Sequence, residues 1–324
     1  MLFVTNRTPR QSNRTRLNRK ISFDLQDTCA SQHMYFCEQK AADDYVEIGN
    51  KAFFTRLKNL PGETQILFYI HGFNNTGEKD IFPRANRIQE LFDEVGGKDL
   101  VYVVPLIWPC DNDPALAIID DYWDDQDAAD ASGMAFSRFL GKFEKWRSHR
   151  DQLLDPCYKR INILAHSMGN RVLQNALNKW ASDHNNGQMP LIFRNIFMVA
   201  ADVKNNTLEN GKTGQYIPDA ARNVVVYFAK DDMAMPASKV ANLKNRSLSK
   251  RMGMTGPKNI DLLPDNVYEA DCDNFNNYCD YPKGHSYFLD CPEYKISPVL
   301  RHMAAAVATG RVQPDERHIE LKKP

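Results

Sequence analysis

The sequence predicts an α/β protein built on a doubly wound, mostly parallel sheet, and three features carry that expectation. Short runs rich in Val, Ile, Phe and Tyr recur from residue 65 onward. Near-continuous apolar runs of this length are the mark of strands buried on both faces of a parallel sheet. Stretches with helical spacing lie between them, and strand–helix alternation with right-handed crossovers winds helices onto both faces. One strand-to-helix junction carries a serine flanked by small residues, a turn type found at the top of such sheets.

Taken in order, the first run is QILFYI at 65–70, followed by a helical stretch at 82–95 with Ile88, Leu91, Phe92 and Val95 on one face. LVYVVPLI at 100–107 is the next strand, and 127–150 is a second helix carrying Met134, Phe136, Phe139, Leu140, Phe143 and Trp146. INILA at 161–165 leads into a helix with Val172, Leu173, Ala176, Leu177 and Trp180 on one side. IFMVAA (196–201) and NVVVYFA (223–229) are further strands, another is expected near VYEA (267–270), and a last helix at about 297–308. No repeat, low-complexity tract or linker interrupts residues 1–324, so one domain is the economical expectation. The long excursions at 108–126, 203–221 and 233–284 follow strand ends, where the ligands of open α/β sheets bind.

Composition narrows the function classes. Lys plus Arg and Asp plus Glu both number 41, a balance that gives no footprint for a nucleic-acid partner. No apolar stretch reaches the roughly 18 residues of a membrane span. The apolar run at the start, Leu2 to Val4, is short of the ~7–15 residues of a signal-peptide core. Seven cysteines without a C-x-x-C pair suit reduced thiols, and a cytoplasmic location is expected. Residues 1–20 carry Arg7, Arg10, Arg14, Arg16, Arg19 and Lys20 with no acid, read as a solvated loop after a short first strand. The eight Asp of 111–130 are read as a solvated face, because Ala115 occupies the third ligand position of a calcium loop.

The strongest chemical signal is INILAHSMGNRVLQNAL, residues 161–177. Ser167 sits where strand gives way to helix, with Ala165 two before it and Gly169 two after, the layout of a nucleophile elbow. Ala165 stands where Gly is usual and still fits a crowded turn. The helix N-terminus offers backbone N–H groups and a positive dipole end to a developing anion. IHGFNN at 70–75 resembles an oxyanion loop, so the N–H groups of Phe73 and Met168 are the candidate oxyanion donors. His71 is expected to serve the loop structurally.

In such enzymes the acid and base follow the serine in that order. His285, after a Gly in a loop, is the candidate base, since His302 lies within a helical run and His318 in a charged tail. Asp232, at the end of a strand, is the first candidate acid, with Asp202 and Asp231 as open alternatives. NGKT at 210–213 lacks the first Gly of a phosphate loop, Asn206 standing there. The spacings among Cys272, Cys279 and Cys291 match no zinc pattern.

These motifs together resemble a bacterial α/β-hydrolase family of largely uncharacterised function. The resemblance runs through Thr5-Asn6-Arg7, IHGFNN at 70–75, Trp108-Pro109, LAHSMGNRVL at 164–173, AAD at 200–202, the strand end at 232–235 and GHSYF at 284–288. It implies the α/β-hydrolase fold, the triad Ser167, Asp232 and His285, and a basic N-terminus that belongs to the domain. Where the family usually has Ser-Trp-Pro, this chain has Ile107-Trp108-Pro109.

The expected activity is cleavage of a small-molecule carboxylic ester through an acyl-enzyme on Ser167, with no cofactor and no metal. The same triad would serve a thioesterase, amidase, peptidase or acyltransferase, and the fold can also serve as a non-catalytic binding protein. Oligomeric state is left open. Leu116, Ile118, Ile119, Tyr122, Trp123, Met233, Met235, Met252 and Met254 are the apolar residues expected to wall an acyl pocket, with one excursion mobile.

Overall fold

The computed structural model describes residues 1–25, 27–73, 75–110, 118–184, 186–233 and 250–323. Leu116 and Met235 lie outside them, and so do the side chains of Ile118, Ile119, Tyr122 and Trp123. Thirteen described strands are β1 (Leu2–Arg7), β2 (Arg19–Ile21), β3 (Ala30–Ala41), β4 (Asp44–Glu47), β5 (Gln65–Ile70), β6 (Val101–Ile107), β7 (Ile161–His166), β8 (Phe193–Val199), β9 (Ala221–Phe228), β10 (Val267–Asp271), β11 (Asp290–Cys291), β12 (Lys295–Ile296) and β13 (His318–Glu320). The helices are α1 (Gly49–Lys58), α2 (Phe82–Gly96), α3 (Ile118–Arg147), α4 (Arg150–Leu154), α5 (Gly169–His184), α6 (Tyr216–Ala220), α7 (Met252–Thr255), α8 (Asn276–Cys279) and α9 (Pro298–Thr309).

Eleven strands form one sheet in the order β13-β10-β9-β8-β7-β5-β6-β1-β3-β4-β2. From β13 to β1 every neighbouring pair is parallel. From β1 to β2 the pairing is antiparallel. The central strands alternate between two cores. Ile66, Phe68 and Ile70 of β5 pack with Phe53 and Phe54 of α1, Phe136 and Phe139 of α3, and Val172 and Leu173 of α5. Leu67 and Tyr69 of the same strand pack on the opposite face with Ile88, Leu91 and Phe92 of α2 and Val299, Met303 and Val307 of α9. Each buried Leu, Ile or Phe contributes about 1.5–3 kcal/mol relative to exposure, so a strand with two apolar faces is secured from both sides.

The N-terminal 47 residues depart from the sequence reading. Residues 1–47 build four strands, three of which add an antiparallel edge. Arg7 is buried rather than solvated: its guanidinium donates to the carbonyls of Asp24, Leu25 and Asp27 at 3.4–3.5 Å and to that of Cys110. A guanidinium has five donors, and this ring of carbonyls gives it partners that solvent would otherwise supply. Arg10 remains exposed, and Arg19 pairs with the buried Glu47 at 2.7 Å. The cysteine reading is corrected as well, because Cys279 and Cys291 form a disulfide between the end of α8 and the β11–β12 hairpin. Cys29, Cys37, Cys110, Cys157 and Cys272 take no part in that disulfide. Among the described residues, no helix is long and apolar enough to cross a membrane.

A buried amide ladder ties the N-terminal ends of four parallel strands. Asn195 donates to Asn162 Oδ1 at 2.7 Å, Asn223 donates to Asn195 Oδ1 at 2.8 Å, and Asn162 donates to Gln65 Oε1 at 3.2 Å. Gln65 reaches on to the carbonyl of Val307 in α9 at 2.8 Å. The strand register sets the asparagines side by side, Asn162 opposite Asn195 and Asn195 opposite Asn223. Removing the central rung leaves the Asn162 acceptor bare and Asn223 Nδ2 with only the Gly310 carbonyl at 3.3 Å, and each lost buried bond is worth about 1–3 kcal/mol. Asn195→Leu is therefore expected to lower stability by about 2–4 kcal/mol, read as a shifted urea midpoint with unchanged m. A midpoint within experimental error of the wild type would show the ladder to be dispensable.

Candidate active site

β7 runs into α5 through a single tight turn. Ser167 has φ +52°, a left-handed conformation that costs a residue with a β-carbon roughly 1–2 kcal/mol. Its neighbours hold it there. The Ser167 N–H donates to the Val199 carbonyl at 2.9 Å, and its own carbonyl accepts from the N–H groups of Asn170 (3.1 Å) and Asp202 (3.2 Å). Asn170, fully buried, adds side-chain donations from Nδ2 to the carbonyls of Ala165 (2.9 Å) and Ser167 (3.1 Å). Gly169 allows the close approach: a β-carbon there would meet the carbonyl oxygens of Ile70 and His71 at 2.5 and 2.6 Å.

The loop after β5 lies against this turn. A β-carbon on Gly72 would stand 3.0 Å from Ser167 Cβ and 3.3 Å from His166 Nδ1. Phe73 is half-buried and Met168 fully buried. Asn75 supports the loop from inside, donating to the carbonyls of Gly72 (3.1 Å) and Phe73 (2.6 Å). His71 is a structural member of the loop, as expected. Its Nδ1–H donates to the Gly72 carbonyl at 2.7 Å, its Nε2 accepts from the Trp108 N–H at 3.2 Å, and the two rings stack with centroids 5.1 Å apart. Trp108 Nε1 returns a bond to the His71 carbonyl at 2.8 Å. Burial pushes the His71 imidazole down to about 3, against the pull of its bond to the Gly72 carbonyl.

The three candidate acids have different partners. Asp232 is buried, and its Oδ2 stands 2.7 Å from His285 Nδ1. Asp231 accepts from the side-chain amides of Asn276 (2.6 Å) and Asn277. Asp202 forms a buried ion pair with Arg251 Nε at 3.2 Å. The structure thus brings Asp232 to His285 and takes the other two elsewhere. The His285 loop is itself held by Asp280, whose Oδ2 accepts from the N–H groups of His285 (2.8 Å) and Ser286 (2.6 Å). Gly284, at φ +60°, makes the turn that precedes them. Among the described residues no hydrogen bond joins Ser167 Oγ to His285. Such bonds commonly close only around substrate. The link between them is His166, the residue before Ser167, whose ring lies 4.7 Å from that of His285.

Asn75, His166, Asn170, Arg251 and Asp280 were not singled out from the sequence. Asn170 had a usable signal, since a polar residue in the buried first turn of an apolar helix calls for backbone partners. Of the apolar residues expected to wall a pocket, Met252 is buried in one core and Met254 packs at the edge of the opposite one, whereas Met233 is exposed. The segment from Val203 to Thr213 borders a polar cavity of about 360 Å³ together with Arg171, Gln174 and Arg251.

The family described as an alpha/beta hydrolase of unknown function (DUF900) matches the chain over residues 49–300, more than half of its length. No curated protein and no solved structure matches it.

Two outcomes follow from this geometry. Gly169→Ala forces a β-carbon into two carbonyl oxygens and is expected to destabilise the fold by about 1–3 kcal/mol. Thermal melting checks this, and an unshifted melt would mean that the turn has room to give. The second concerns pH. His71 titrates near 6.5 when unfolded and near 3 when folded, so below pH 6.5 the unfolded state binds the extra proton. Stability is then lost as pH falls from about 6.5 toward 3, by up to about 1.4 kcal/mol per pH unit for this one group. His71→Gln, which keeps an acceptor for the Trp108 N–H, is expected to flatten that slope in urea titrations between pH 6 and 4. An equal slope in both proteins would refute it.

Proposed function

Because the chain belongs to this α/β-hydrolase family, we propose that it is a serine hydrolase that cleaves a carboxylic ester through an acyl-enzyme on Ser167. One observation carries the reading: the serine at the positive-φ junction of β7 and α5 is followed, beyond the end of β9 two places along the sheet, by a buried Asp232 bonded to His285. Serine, acid and base stand in the chain order that this elbow requires.

In the proposed reaction the Asp232 bond holds the proton on His285 Nδ1 and leaves the Nε2 lone pair free. As Ser167 Oγ attacks the ester carbonyl carbon, Nε2 takes the hydroxyl proton, and the carbonyl π pair moves onto oxygen. The N–H groups of Phe73 and Met168 are the donors assigned to that oxyanion, in a loop and turn already fixed by Asn75 and Asn170. Asp232 stabilises the imidazolium, which then protonates the departing alkoxide as the C–O bond breaks. Water attacks the acyl-serine with His285 again as base, releasing the acid and restoring the Ser167 hydroxyl.

A fluorophosphonate probe is expected to label the purified protein at Ser167, and p-nitrophenyl acetate to be turned over. Ser167→Ala should abolish both with little change in melting temperature. Asp232→Asn should lower kcat by about 10⁴-fold, as amidation of the acid does in a serine-protease triad. Asp231→Asn should do far less. Asp202→Asn leaves Arg251 without its buried counter-ion and should act through stability, by about 3–5 kcal/mol. If a folded Asp202→Asn variant is the inactive one while Asp232→Asn turns over normally, the acid is misassigned. A wild-type protein inert to the probe removes the hydrolase reading itself.

A further inference from the structure

His166 is a buried imidazole to which the reaction above gives no task. It ends β7, is 2% exposed, and lies between the rings of His285 (4.7 Å) and Phe288 (5.0 Å). Its Nε2 stands 3.2 Å from the His285 carbonyl oxygen, while its Nδ1 is buried without a partner. A carbonyl only accepts, so Nε2 carries the proton and Nδ1 is bare. An aromatic hydrocarbon would fill the same space without stranding a nitrogen, so packing alone does not account for an imidazole here. Burial foremost, then the neighbouring His285 and the Arg84 cation, push its protonation well below the ordinary histidine range, so it stays a neutral donor.

The bond it makes completes a clamp on one peptide unit. The His285 carbonyl accepts from His166, and the Ser286 N–H of the same peptide donates to Asp280 Oδ2 at 2.6 Å. The preceding N–H, that of His285, also donates to Asp280, at 2.8 Å. Both sides of the His285 Cα are therefore held, and Asp232 holds the ring itself at Nδ1. Because His166 is covalently next to Ser167, it refers the backbone of the base to the turn that carries the serine. We propose that His166 is a positioning residue: its Nε2–H bond to the His285 carbonyl aims the His285 imidazole at Ser167. The inference rests on the serine-hydrolase reading and deepens it. Aim matters when the proton moves and little when substrate first binds, so the loss belongs in kcat.

The test compares His166→Phe, His166→Asn and His166→Gln in steady-state hydrolysis of p-nitrophenyl acetate, with fluorophosphonate labelling and melting curves alongside. Phe keeps the ring shape without a donor, Asn carries a donor too short to reach the carbonyl, and Gln carries one near the position of Nε2. His166→Phe and His166→Asn are expected to lower kcat by about tenfold, with KM within about twofold, the scale of one buried hydrogen bond. His166→Gln is expected to recover most of that loss. Wild-type kcat in the Phe or Asn variant, or equal loss in Asn and Gln, would overturn the positioning role. The Asn and Gln pair decides the matter if the Phe variant fails to fold. A wild type that the probe does not label overturns the hydrolase reading and this inference together; a labelled wild type with unaffected variants overturns this inference alone.

Discussion

The site depends on one close approach, the first turn of α5 against the end of β5. At residue 169 the space for a β-carbon is already held by the carbonyl oxygens of Ile70 and His71. That contact sets the height of the serine turn above the sheet, and the next residues of the β5 loop then arrive at the Ser167 side chain, with Gly72 the nearest. Close approach of two backbones requires glycine, and it also removes water from backbone groups that must find other partners. Asn75 and Asn170 answer that need, each donating to more than one carbonyl from inside the turn. The strain at Ser167 persists because five hydrogen bonds within and around this turn determine its conformation.

The two ends of the parallel strands solve the problem of buried polarity differently. At the N-terminal ends, neutral amides pair with neutral amides in a ladder that crosses β5, β7, β8 and β9. At the C-terminal ends the buried groups are ionisable: Asp202 with Arg251, and Asp232 with His285. Burying charge is expensive unless it is paired and hydrogen-bonded, and a charged site is retained more readily for chemistry or specificity than for stability. The ladder needs only the register of the sheet, whereas the charged end needs loops from several parts of the chain.

That difference decides what was legible in the sequence. The run at 65–70 matches β5 residue for residue, and the other central strands differ from their apolar runs by at most three residues at an end. Apolar side chains on both faces leave a signal that no loop can imitate over that length. The serine turn was legible because its small residues are local consequences of close packing. The edge strands were not: β3 alternates between core and solvent only in part, and antiparallel pairing with β1 and β4 leaves no regular period. Arg7 looked like a solvated cation because its carbonyl partners come from residues 24, 25, 27 and 110. The Cys279–Cys291 bond was hidden for the same reason, since a spacing of twelve says nothing until α8 and the β11–β12 hairpin are brought together.

The acids show most clearly what sequence order can and cannot supply. Asp231 and Asp232 are adjacent and chemically identical, yet they lie in a turn, closed by the Asp232 N–H on the Ala229 carbonyl at 3.3 Å, that sends the two side chains to different partners. One therefore caps the Asn276–Asn277 amides while its neighbour meets His285. Both carboxylates act on a single loop: Asp231 holds its beginning at α8, and Asp232 holds the imidazole that the loop presents. The Met233 N–H adds a third tie, to the Lys283 carbonyl at 2.9 Å. Three successive residues in the turn after β9 thus bind the loop at three points, and the disulfide closes the same loop. A buried Asp232 gains little from an imidazole whose orientation wanders, because the bond that offsets its desolvation depends on distance and angle. The loop's many attachments and the burial of its partner acid are in that sense one arrangement, in which each makes the other sustainable.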